Sequence, residues 1–171
     1  MGRDKALVEV GGVAMALRVA SALRIAGAAE VLAIGGDAPA LRALGLDDRP
    51  DDRPGAGPLS ATITALGHAS EDLVLVVGCD LVHPDPPSMA RTIAALAHRP
   101  GALGAVPVVA GQPQWVHAAW RRDAAAPLSR AFEQGQRSLH GAARSLDLVP
   151  VDDIDPGCVA DADLPEELPE A

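Results

Sequence analysis

Apolar residues along this chain fall into two alternating rhythms. From Val13 to Ala28 they follow a helical period, with Leu17, Ala20, Leu23 and Ile25 near one face and Gly27 marking the end. Ala6 to Val10 predicts a short strand closed by the Gly11-Gly12 turn. Val31 to Ile34 predicts another, followed by Gly35-Gly36-Asp37 and a helix through Leu41 and Leu44. Pro58 suits the first turn of a helix running to about Ala69, where its missing N–H would have had no partner anyway. Leu73 to Val77 shows no polar alternation and predicts a strand buried on both faces, as central parallel strands are.

The second half continues in the same way. Pro86 to His98 predicts a helix, Ala102 to Val109 a strand, Trp115 to Trp120 a strand, and Asp123 to Glu133 a helix stopping at Gly135. A short helix over Leu139 to Arg144 leads to a last strand, Leu148 to Val151. Residues 152–171 form an acidic tail with a turn of helix near Glu166. Strands alternating with helices predict one α/β domain over residues 1–171, a mostly parallel doubly wound sheet of Rossmann-like type. Ligands of such sheets bind beyond the carboxyl ends of the strands, which places the loops after Ile34 and Val77 at the site.

Composition narrows the function. Apolar residues make up 49% of the chain, yet there are one Phe, two Trp and no Tyr, so the core is built from Ala, Val and Leu. A formal net charge of −9 argues against nucleic acid, because no basic patch can offset phosphate along an extended contact. A single nucleotide needs only one or two cations and a metal, and is not excluded. Much of the acid lies in Asp47 to Asp52 and Asp147 to Glu170, which read as solvated faces. Cys79 and Cys158 make no disulfide framework and have no metal spacing, and Cys79 reads as a small core residue. No segment has the apolar length of a membrane span and no leader pattern opens the chain, which predicts a cytoplasmic protein.

Three short segments carry chemistry. The chain opens Met1-Gly2-Arg3-Asp4-Lys5-Ala6-Leu7, later reads Asp51-Asp52-Arg53-Pro54-Gly55-Ala56-Gly57-Pro58-Leu59, and ends its apolar run with Gly78-Cys79-Asp80. Lysine offsets phosphate charge, glycine lets backbone approach a ligand, and a carboxylate at a strand end can ligate a hard cation. Taken singly, each has an ordinary reading: an exposed lysine, a proline-rich surface loop, a strand-end cap. In this order and spacing they resemble the molybdenum cofactor guanylyltransferases of the MobA type, within the nucleotidyltransferase superfamily.

The resemblance implies roles for particular residues. Lys5, in the family's Arg-Met-Gly-x-Asp-Lys segment, would contact phosphates and balance charge during transfer, with Gly2 in the same loop and Asp4 positioning it. Asp51, Gly55, Gly57, Pro58 and Leu59 match the family's Asp-x-x-Pro-Gly-x-Gly-Pro-Leu pattern, which faces the guanine nucleotide. Asp80 would hold Mg²⁺ as cofactor. Asp161 and Asp163 stand where the family's Asn-x-Asn lies near metal and pterin, in the segment Asp161-Ala162-Asp163-Leu164-Pro165-Glu166-Glu167-Leu168. The implied partners are GTP and molybdopterin, with transient contacts to other molybdenum cofactor proteins and none to nucleic acid or membrane. His83, Trp115 and His117 read as packing. The chain departs from the family at Ser60-Ala61 and at Leu81-Val82-His83-Pro84, and it opens inside the signature loop. The family's first strand and Leu-Ala-Gly-Gly-x-Ser-x-Arg element would precede Met1, so an inner sheet edge is expected to lack its partner. Two alternatives stay open: a related transferase with another base or acceptor, such as a molybdopterin cytidylyltransferase, and a catalytically dead nucleotide-binding module.

Overall fold

The computed structural model describes residues 4–159. The described chain opens with a 3-10 turn, Lys5–Leu7, and a hairpin of β1 (Glu9–Val10) and β2 (Val13–Ala14). The expected strand over Ala6 to Val10 is therefore mostly a turn. Asp4 explains it: its carboxylate accepts from the Ala6 N–H and caps the turn, a local bond that outcompetes strand pairing. Gly11 and Gly12 close the hairpin with φ of +59° and +75°, a conformation that favours glycine.

Helix α1 (Met15–Ile25) follows, then β3 (Leu32–Ile34), α2 (Ala38–Ala43) and β4 (Asp47–Arg49). The buried face of α1 is Met15, Ala16, Val19, Ala20 and Ala22, whereas Ile25, expected on the core side, is 75% exposed. Strand β4 pairs parallel with β3, although its sequence, Asp47-Asp48-Arg49, reads as a solvated run. Its charges are paired locally: Arg42 donates to both carboxylate oxygens of Asp48, and Arg49 to both of Asp47.

The second half contains α3 (Pro58–His68), β5 (Leu73–Leu75), α4 (Pro86–Ala97), β6 (Gly104–Val109) and β7 (Gln112–Pro113). It continues with β8 (Ala119–Arg121), α5 (Ala125–Glu133), α6 (Leu139–Ala143) and β9 (Leu148–Val151). Trp115 to Trp120 is not one strand, because Trp115–His117 forms a 3-10 turn before β8 begins. Strand β8 lies antiparallel between β5 and β6, and β9 runs parallel on the far side of β6. The sheet is thus mixed, inside the expected α/β layering. One core face joins α3, α5 and α6 around the fully buried Trp120, and the other joins α4 to β6 and β9. No helix among the described residues is long and apolar enough to cross a membrane.

Apart from the β1–β2 hairpin, the strands form two separate sheet portions, β3–β4 and a five-stranded one in which β5, β8, β6 and β7 follow in order and β9 pairs with β6. Among the described residues, β3 pairs only with β4 and β5 only with β8, so each presents one edge without a strand. Strand β5 is correspondingly half-buried at all three positions, not enclosed on both faces as its apolar run predicts. Between the portions lies a cavity of about 770 Å³, walled by α1 on one face and α3 on the other. The portions are joined at their amino ends, where Glu30 accepts from the Ser70 backbone N–H and hydroxyl at 3.0 Å.

Gly104 makes the tightest approach in the sheet. A Cβ there would lie 2.9 Å from Trp120 Cε3 and 3.0 Å from Leu148 Cδ2. The indole is rigid and fully buried, so Gly104→Ala is expected to destabilise the fold by about 1–3 kcal/mol, the usual scale of overpacking. Chemical denaturation of the two proteins checks this.

Candidate active site

The carboxyl ends of β3 and β5 open onto one place, and the first described residues sit there. Asp4 uses one carboxylate oxygen to cap the turn and the other to accept from the Asp37 N–H at 3.1 Å, fixing the turn against the Gly35-Gly36 loop. Lys5 then reaches Asp80, with Nζ 3.2 Å from Oδ2. The two side chains are 33% and 22% exposed, so the pair is accessible to a ligand. Residues 75 positions apart are thus brought together.

Asp80 is placed by what surrounds it. A Cβ at Gly78 would fall 2.7 Å from Asp80 Oδ1, so only glycine lets the carboxylate fold back over the strand end. Behind that turn lies His117, only 6% exposed, whose Cε1 would be 3.4 Å from the same Cβ. The residues after Asp80 are anchored, with Leu81 and Val82 buried and the Val82 carbonyl accepting from Arg18 at 3.1 Å. Arg18 also donates to the Val10 carbonyl at 3.4 Å, linking the loop to the hairpin.

Among the described residues, no three His, Cys, Asp or Glu side chains cluster as a metal cage. One accessible carboxylate suits a hard cation that keeps most of its water, as Mg²⁺ does. It does not suit a soft or tightly caged metal.

The Asp51 to Leu59 loop lies beside the Gly35 loop, and the Asp51 Cβ would sit 3.5 Å from a Cβ at Gly35. Asp51 Oδ1 accepts from the Arg53 N–H at 3.1 Å and from the buried Thr64 hydroxyl at 3.2 Å, which orients the carboxylate. Gly55 and Gly57 have φ of +78° and +88°, with open space where a Cβ would be, so backbone conformation is what requires glycine there. Pro58 opens α3. Leu59 departs from the ligand-facing expectation. Its side chain is fully buried in the core with Ile63 and Trp120, and so anchors the loop from below.

Gly2, Asp161 and Asp163 lie outside the described residues. Trp115 is half-buried and stacks on His140, ring centroids 5.1 Å apart, while His83 is exposed. Gly78 and His117 are the neighbours of Asp80 that sequence reasoning left unused. A glycine between an apolar run and a carboxylate was the available signal for the first; nothing local marks the second.

Cys79 is exposed, not a core residue. Its thiol is nevertheless pushed up to about 11, first by loss of hydration and then by the Asp80 and Asp4 carboxylates. Poor hydration sits uneasily with an exposed residue. The carboxylates are the better-founded cause, because Asp4 and Asp80 are each held by bonds of their own.

An α/β layered sheet with a lysine–aspartate pair and a glycine-rich loop at its strand ends is the arrangement of a nucleotidyltransferase. The chain belongs to the family of the MobA-like NTP transferase domain, whose model matches residues 1–148. Over 81 residues it is 44% identical to a probable molybdenum cofactor guanylyltransferase of Pelotomaculum thermopropionicum, a stretch amounting to 47% of this chain and 39% of that relative. The match therefore spans about two fifths of the relative's length. Among solved structures, it resembles molybdopterin-guanine dinucleotide biosynthesis protein A of Archaeoglobus fulgidus at a TM-score of 0.69 and 20% identity, covering 88% of this chain and 76% of that one. It also resembles 2-C-methyl-D-erythritol 4-phosphate cytidylyltransferase of Thermus thermophilus at 0.74 and 20%, covering 95% and 89%. At these identities the structures show the shared fold.

A thiol raised to about 11 is neutral at ordinary pH and becomes a reactive thiolate only as pH climbs past 10. Iodoacetamide should therefore label Cys79 at pH 8 more slowly than a free cysteine, by as much as about 10²-fold, the ratio of thiolate fractions when hydration loss and the carboxylates act together. Peptide mapping by mass spectrometry follows the rate, and labelling at the ordinary rate would show a hydrated thiol free of the carboxylates' influence.

Proposed function

We propose that this chain transfers GMP from MgGTP to the terminal phosphate of molybdopterin, forming the guanine dinucleotide form of the cofactor and releasing pyrophosphate. The observation that carries the reading is the Lys5–Asp80 pair at the carboxyl ends of β3 and β5, beside the Asp51 loop. An acceptor phosphate oxygen attacks the α-phosphorus in line, a new P–O bond forms, and the bond to the bridging oxygen breaks, so the electron pair leaves with pyrophosphate. Bound at Asp80, a hydrated Mg²⁺ would supply positive charge for the phosphate oxygens. The Lys5 ammonium binds the phosphates and offsets the negative charge that builds during transfer. Asp4 holds the turn that carries Lys5, and Gly78 leaves Asp80 room to face the ligand. An attacking phosphate oxygen is already anionic, so the chain needs no general base.

Guanine preference rests on the Asp51 loop and on the name of the curated relative. A carboxylate there can accept from the guanine N1 and N2 groups, and the Arg53 N–H and Thr64 hydroxyl hold it in one orientation. The cytidylyl-transferring structure of similar fold makes the base an experimental question.

Turnover with molybdopterin and either GTP or CTP answers it, and a preference for CTP would overturn the guanylyl reading. Asp80→Asn keeps size and hydrogen bonding but removes the anionic oxygen. Activity should fall at least ~10²-fold, the scale of losing an electrostatic stabiliser of a transition state. Thermal stability without nucleotide should change little, while the stabilisation given by MgGTP shrinks. Near-normal turnover in Asp80→Asn would sink the metal-ligand role, and MgGTP binding without turnover in the unaltered chain would support a binding module instead.

A further inference from the structure

We infer that Phe132 is a positioning residue for the base-facing loop: its ring holds Arg53, and through Arg53 the carboxylate of Asp51. The inference rests on the guanine reading of that carboxylate and adds the device that keeps it in place. Phe132 is the one phenylalanine of the chain, and it lies on α5, outside every motif of the site.

The loop from Asp51 to Gly57 needs an anchor. Asp52, Arg53, Pro54 and Gly55 are exposed, and nothing would meet a Cβ at Gly55 or Gly57. Its own bonds are few. The Ala56 N–H donates to the Arg53 carbonyl at 3.1 Å, and the Asp52 N–H to the Thr64 hydroxyl at a long 3.4 Å. Arg53 reaches further than either. Its N–H donates to Asp51 Oδ1 at 3.1 Å, while its guanidinium lies 5.0 Å from the centroid of the Phe132 ring. A cation over an aromatic face is attracted by the quadrupole of the ring, and here that attraction crosses from loop to helix. One residue thus grips the carboxylate with its backbone and α5 with its side chain.

Phe132 is the fixed member of the pair. It is half-buried and packs against the core cluster that contains Trp120 and Leu128. A second guanidinium, that of Arg137, lies 4.3 Å from the same centroid. Arg137 Nη1 donates to the Phe132 carbonyl at 2.8 Å and to the Gln136 carbonyl at 2.9 Å, so it is tied to the end of α5 itself. The Arg53 guanidinium has no such bond: among the described residues the ring is its partner. A leucine at 132 would fill the core nearly as well but would offer Arg53 no quadrupole.

The test compares the full chain with Phe132→Leu, which loses the ring, and Phe132→Tyr, which keeps it. Without nucleotide, exchange of the Arg53 amide, followed by NMR, should quicken about threefold in Phe132→Leu, the weight of one exposed cation–π contact. By calorimetry, affinity for MgGTP should fall by the same factor of about three. Affinity for magnesium tripolyphosphate, which has no base, should stay that of the parent, and Phe132→Tyr should keep every parental value. Arg53→Met should reproduce the loss, and the double variant should be no weaker than either single one, because the two residues make one contact. Unchanged Arg53 exchange in Phe132→Leu overturns the inference alone, as does equal weakening of GTP and tripolyphosphate, which marks a general loosening. A parent chain that binds CTP as tightly as GTP overturns the guanine reading, and the inference falls with it.

Discussion

Two consecutive side chains tie the halves of this molecule together at the end where its chemistry lies. Asp4 bonds to the loop after β3, and Lys5 pairs with the carboxylate after β5. No strand ladder joins β3 to β5 among the described residues, so this staple, the Glu30–Ser70 bonds at the opposite end and the packing of α1 against Leu75, Leu81 and Met89 set the relation of the two sheet portions. The site inherits its geometry from that staple. The Gly35-Gly36 loop, the Asp51 carboxylate and the Gly78–Asp80 turn all lie within a few contacts of residues 4 and 5. Lys5 therefore holds shape there, in addition to the charge-binding task proposed for it.

Packing behind the site is less concentrated. Arg18 spans from the hairpin carbonyl of Val10 to that of Val82, while Val10, Met15 and Val82 share a small apolar cluster. Leu59 and Thr64 play the matching part for the Asp51 loop, one through burial and one through a hydroxyl that is hydrogen-bonded in the interior. Buried polar groups persist where they are satisfied, and Thr64 is: its oxygen donates to Asp51 and accepts from the Asp52 N–H.

Much of the architecture was legible because local signals agreed. Helix α3 begins at Pro58 as its chemistry requires, and Leu148–Val151 matches its expected bounds end for end. The misses share a cause. Ala6 to Val10 has strand-like composition, but a single cap at Asp4 turns it into a helical turn. Asp47–Arg49 has none, yet pairing with β3 imposes a strand that no local preference suggests. At the proposed site, motif order and spacing singled out Lys5 and Asp80, which form an ion pair, and Asp51, which lies beside the Gly35 loop. His117 matters through a distance across the fold, which spacing along the chain does not encode, whereas Gly78 acts on Asp80 two residues away and had a local signal. Leu59 belongs to the same motif as Gly57 and Pro58, and a motif does not say which member faces inward.

The two kinds of strand edge in this protein differ in how they treat other chains. On the outer edge β4 carries Asp47, Asp48 and Arg49, and a neighbouring molecule that approached would have to strip water from charged groups already paired at home. The inner edges of β3 and β5 carry Leu, Ala, Ile and Val and lie between α1 and α3, turned toward the interior and away from other molecules. What keeps this protein dispersed in a crowded solution is therefore the paired charge along its outer strand.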